Sequence, residues 1–152
     1  MDEHEPLPKV QLGQLHLSFL GRTFPDATEP WDADLLTVHA VADMRAARVE
    51  LPSVGIRSGE IAGFVRSLHA LQRDLRGECW LDGSDFGLLV HLKFIDDLGH
   101  LRGLIEMRPS GGAEELHRCD FELDQSHLVA LIGQCAEVLA RFPSELTPGH
   151  GG

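Results

Sequence analysis

Two stretches of this chain place apolar residues at spacings of three and four along one side only: Ile61, Phe64, Val65, Leu68, Leu71 and Leu75, then Leu128, Leu131, Ile132, Cys135, Leu139 and Phe142. A helix with one apolar stripe must lay that stripe on another layer. Each stripe follows segments of strand-like alternation, so the two helices are expected to share one face of a sheet. Ser58 is placed to cap the first helix, which spans residues 58–76 and stops at Gly77. Asp124 is placed to cap the second, over 125–142, with Pro143 beyond its end.

Period-two alternation supplies the sheet. Val10–Leu20 reads as a strand with Leu15, Leu17 and Phe19 inward and a bulge at Gly13, because Val10 and Leu12 fall on the other parity. Residues 21–34 carry Gly21, Pro25 and Pro30 and read as a long loop. Leu35–Ala42 and Ala46–Leu51 form a hairpin that Pro52 ends. After the first helix come strands at 78–81, 86–95, 100–108 and 114–123, joined by the turn signals Asp82-Gly83-Ser84, Asp97-Leu98-Gly99 and Ser110-Gly111-Gly112. Phe86, Leu88, Val90, Leu92 and Phe94 share the inward face of the second of these. The predicted fold is α+β, a single layer of about seven largely antiparallel strands with two amphipathic helices on one face, in the order β-β-β-α-β-β-β-β-α. The domain is expected over residues 10–143, between a flexible N-terminus (1–9) and a flexible tail (144–152). No internal sequence repeat is evident, although each half reads as strands followed by a helix.

The chain has 152 residues, enough for one domain and short for two. Its net charge of -11 repels a phosphate backbone or an anionic lipid surface, which argues against direct nucleic-acid or membrane binding. The acidic start Met1-Asp2-Glu3-His4-Glu5 has no apolar run behind it, as expected of a cytoplasmic protein. Cys79, Cys119 and Cys135 lie in no CxxC arrangement and read as buried thiols.

Catalytic and metal motifs are missing: there is no HExxH, GxSxG or GK[ST], and the glycine pair 111–112 precedes a strand instead of a helix. The parity of His91 and His117 points them to opposite faces, which argues against a shared metal site. No catalytic residue, metal or cofactor is therefore assigned. Acids cluster in turns instead. Asp82, Asp85, Asp96 and Asp97 sit where turn chemistry alone favours Asp, but Asp26, Glu29, Asp32 and Asp34 fall within nine positions that hold no base. Trp31 lies among them, as a lid on the core edge or as an anchor facing a partner. Asp26, Glu29, Trp31, Asp32 and Asp34 form the candidate partner-binding segment.

Trp31-Asp32-Ala33-Asp34-Leu35-Leu36 at a strand entrance, Phe121-Glu122-Leu123-Asp124-Gln125-Ser126-His127-Leu128 opening the last helix, and Leu139-Ala140-Arg141-Phe142-Pro143 closing it resemble the WapI-like family. The resemblance runs from about residue 10 to 143. It implies a small, non-enzymatic cytoplasmic protein of the immunity type, one that neutralises a cognate toxin domain by binding it. The family's named member acts on a tRNA-cleaving toxin, so the implied partner is a basic, nuclease-type domain. A cytoplasmic binding or accessory protein without a toxin partner, and an enzyme or metal-binding protein, remain as alternative readings. Oligomeric state is left open.

Overall fold

A computed structural model describes residues 6–83, 87–109 and 114–146. Strands β1 (Lys9–Leu12), β2 (Leu15–Arg22), β3 (Leu35–Asp43) and β4 (Arg48–Arg57) form one antiparallel sheet in that order. A one-turn helix α1 (Pro30–Ala33) interrupts the β2–β3 connection, and α2 (Ser58–Asp74) follows β4. Strands β5 (Glu78–Gly83), β6 (Leu88–Phe94), β7 (His100–Met107) and β8 (His117–Asp124) make a second antiparallel sheet, followed by α3 (Gln125–Arg141). The α+β class and the meander connectivity are those expected. The single layer of about seven strands is instead two sheets of four.

The eighth strand comes from Gly13. Val10 pairs with Leu17 and Leu12 with Leu15, so Gly13-Gln14 is a two-residue hairpin turn and not a bulge. Crossing that turn changes the parity of the inward positions, and both sets face the same core. Gly13 adopts φ +60°, which glycine accommodates without strain at such a turn. Pro52 does not end the next hairpin. The pairs Val38–Val54 and Ala40–Leu51 leave Pro52 and Ser53 in a register irregularity, and β4 continues to Arg57. An edge strand tolerates proline there because its missing N–H breaks no ladder. Phe86, Asp85, the Gly111-Gly112 turn and residues 1–5 and 147–152 lie outside the described residues.

The two halves share one plan, four meandering strands and a 17-residue helix. Their junctions match as well. Leu35 pairs with Arg57 and the Ser58 N–H donates to the Asp34 carbonyl at 2.9 Å; His100 pairs with Asp124 and the Gln125 N–H donates to the Gly99 carbonyl at 2.9 Å. Each helix crosses to the opposite half: α2 packs on β5, α3 packs on β1, and the helices pack on each other. Ile61, Phe64, Leu68 and Leu71 from α2 and Leu128, Leu131, Cys135 and Val138 from α3 join both sheets in one buried cluster.

Asp124 caps α3. Its carboxylate accepts from the Ser126 N–H at 2.9 Å and from the Ser126 hydroxyl, while His127 Nδ1 accepts the Asp124 N–H at 3.2 Å, a capping box. The Ser126 hydroxyl, first among several contacts, holds the Asp124 carboxyl below its ordinary range. A folded-state pKa below the unfolded one stabilises the fold above the unfolded value, and this contribution is lost as pH falls through the folded one. Asp124→Ala should cost about 0.5 to 2 kcal/mol in denaturant unfolding at neutral pH, and the difference from the parent should shrink toward acid.

Candidate partner-binding loop

The β2–β3 connection is built by proline and by two arginines from flanking strands. Pro30 opens α1, where its missing N–H is no loss. Arg22 Nη1 donates to the Ala33 carbonyl at 2.9 Å, and its second nitrogen donates to the Pro143 carbonyl beyond α3. From the end of β4, the Arg57 guanidinium carbon sits 3.7 Å from the Trp31 ring centroid, and Arg57 Nε donates to the Trp31 carbonyl at 3.1 Å. The indole remains 45% exposed and α1 buries no residue. Of the two roles open to Trp31, the core lid is not the one this geometry describes. The ring is a solvent-facing plate held by a cation.

Asp26, Glu29 and Asp32 are exposed around it. Bases absent in sequence are thus present in space, but among the described residues Arg22 and Arg57 engage backbone carbonyls, the indole and Glu145, not these three carboxylates. Asp26 and Asp32 line a groove of about 430 Å³ with Thr23, Phe24, Pro25 and Ala27. Phe24, half exposed, is a further member that sequence reasoning missed. An apolar residue in a proline-rich loop was the available signal.

Asp34 is different in kind. It is fully buried, and its carboxylate accepts from the Gly59 N–H at 2.7 Å, the Glu145 N–H at 2.7 Å and the Ser144 hydroxyl at 3.1 Å. It occupies the N-terminus of α2, where negative charge is favoured, and does so in place of Ser58. The residue at the N-cap position is Arg57, which supplies no side-chain bond; Ser58 is the first helical residue, and its buried hydroxyl has no hydrogen-bond partner among the described residues. Residues 144–146, counted with the tail in sequence, are tied down by this carboxylate. Asp34 therefore organises the loop from inside and presents nothing to a partner.

Burial pushes the Cys79 and Cys135 thiols up to about 12, so neither is a ready nucleophile. Among the described residues no group of three His, Cys, Asp or Glu could hold a metal ion, and no helix is long and apolar enough to cross a membrane. His100 Nδ1 lies 2.6 Å from Asp96 Oδ2, a contact that raises the histidine pKa and lowers that of the aspartate. Asp96 also accepts the Leu98 and His100 N–H groups, the local turn chemistry expected of it.

The described residues form an α+β protein whose β2–β3 loop presents an exposed indole and three exposed carboxylates. A family model, the immunity protein WapI-like family, matches residues 9–143. The chain belongs to that family. No curated protein and no solved structure matches it.

Proposed function

We propose that the protein is an immunity-type inhibitor that neutralises a basic, nuclease-type toxin domain by direct binding in the cytoplasm, without catalysis and without a cofactor. Family membership over residues 9–143 carries this reading. The net charge of -11 supports it, since a negative inhibitor associates fast with a basic partner. The contact surface is the β2–β3 loop: Asp26, Glu29 and Asp32 supply charge, and Trp31 supplies the anchor. Asp34 belongs to the set as the group that shapes it.

The partner to test is a toxin domain encoded beside the gene. Neutralising the three exposed acids (Asp26→Asn, Glu29→Gln, Asp32→Asn) should slow association at low salt roughly tenfold and flatten its salt dependence, with the fold intact. Trp31→Ala should cost about 2 kcal/mol or more of binding, and well under that of stability, because the ring is not in the core. Stopped-flow mixing at two ionic strengths checks the first, and titration calorimetry beside denaturant unfolding checks the second. An association rate at low salt that ignores the three charges would sink the electrostatic reading.

A further inference from the structure

Phe24 is a large apolar side chain that the fold does not use: it is 50% exposed and lies outside the buried cluster that joins the two sheets. The backbone around it is nevertheless fixed. The Thr23 N–H donates to the Leu35 carbonyl at 3.0 Å and the Thr23 and Thr37 hydroxyls hydrogen-bond at 2.8 Å, so the β2–β3 pairing holds the chain up to the residue before Phe24. The Ala27 N–H then donates to the Phe24 carbonyl at 3.1 Å, closing a turn that carries Asp26. Asp32 comes from α1, a separate element. The groove of about 430 Å³ lined from this turn and from α1 therefore has an apolar wall, Phe24 with Pro25 and Ala27, two carboxylates and no base. Among the described residues neither Asp26 nor Asp32 has an ion-pair or side-chain hydrogen-bond partner.

An apolar wall beside two unpaired carboxylates is complementary to a side chain with an apolar stem and a cationic head. Guanidinium suits it better than ammonium, because it stacks on an aromatic face and its fork of N–H donors serves carboxylates on two elements at once. The same loop already shows the contact in miniature: the chain's own Arg57 guanidinium lies 3.7 Å from the Trp31 centroid. Among the described residues the guanidinium–ring contacts fall on Trp31 and Phe142, and the Phe24 ring has none. We infer that the groove is a pocket for one arginine side chain of a protein partner, stacked on Phe24 and paired with Asp26 and Asp32. That this partner is a toxin rests on the function proposed above; the groove's preference for a guanidinium does not.

The test titrates the full chain at pH 7 with N-acetyl-arginine amide, and in parallel with N-acetyl-lysine amide and the uncharged near-isostere N-acetyl-citrulline amide, read by backbone amide resonances. Arginine amide should shift the Phe24, Asp26, Ala27 and Asp32 amides saturably, with a dissociation constant in the millimolar range expected of so small a ligand. Lysine amide should bind roughly two- to fivefold more weakly, the margin a ring contact gives at an exposed site, and citrulline amide should not saturate. Phe24→Leu keeps an apolar wall at an exposed position and should erase the arginine–lysine margin, while Asp26→Asn with Asp32→Asn should weaken arginine binding roughly tenfold. No saturable shift at the four amides, an equal response to lysine or citrulline, or a margin that survives Phe24→Leu would overturn the inference. Shifts of the same size at the remote acids Asp96 and Asp97 would overturn it too, as attraction by net charge alone. The loop reading fails in a different experiment, the association rate of the three-charge variant with the toxin domain. A charge-dependent rate without probe binding removes the pocket and leaves the loop.

Discussion

Asp34→Ala should lose about 3 kcal/mol or more of stability, at a position that sequence alone places among surface acids. Two charge-assisted backbone bonds disappear, each worth about 1.5 to 3 kcal/mol in a buried setting, and the Gly59 and Glu145 N–H groups are left without their acceptor. Asparagine is no remedy. Both carboxylate oxygens accept, so the amide nitrogen that Asp34→Asn introduces would face a donor whichever way it turned. Equilibrium urea unfolding of both variants checks this, and an asparagine variant within about 1 kcal/mol of the parent would contradict it. Any loss of partner binding in these variants should track the loss of fold. The three exposed acids should show the reverse order.

Gly103→Ala is the second large effect, and its sign runs against ordinary propensity. In a strand interior alanine normally gains on glycine by roughly 0.5 to 1 kcal/mol. Here Gly103 faces Phe121 across the β7–β8 ladder, and an added Cβ would lie 2.1 Å from the Phe121 ring. The same ring also lies close to Gly13 in the β1–β2 turn, where a Cβ would sit 2.5 Å from it, so its room to shift is small. Phe121 thus spans two glycines from two sheets. Overpacking should cost about 2 to 3 kcal/mol, and Phe121→Ala about 3 to 5 kcal/mol. Combining Gly103→Ala with Phe121→Leu should recover part of the loss, a coupling that a double-mutant cycle measures directly. A neutral Gly103→Ala would mean that the ring does not lie across it.

Features that depend on near neighbours were legible. The helix at residues 58–76 is Ser58–Asp74, that at 125–142 is Gln125–Arg141, and Asp124 caps as placed, because spacing and capping act within a turn or two. What escaped depends on residues distant in sequence. Asp34 reads as one more loop acid until Gly59, 25 positions on, and Glu145, 111 positions on, are seen to donate to it. Arg57 reaches Trp31 from 26 residues away. Short turns specify each hairpin but are silent on whether β4 pairs with β5, since α2 lies between them; hence one layer was expected where two sheets form.

The crossing of helices between halves has a consequence for synthesis. While the first four strands and α2 are emerging from the ribosome, the β5 surface that α2 needs and the α3 that covers β1 do not yet exist. The first half is an open clasp whose other arm is encoded downstream. Nascent chains of the length of one half should stay protease-sensitive and gain protection together, late in translation. A chain cut between α2 and β5 should regain its fold only when both pieces are mixed.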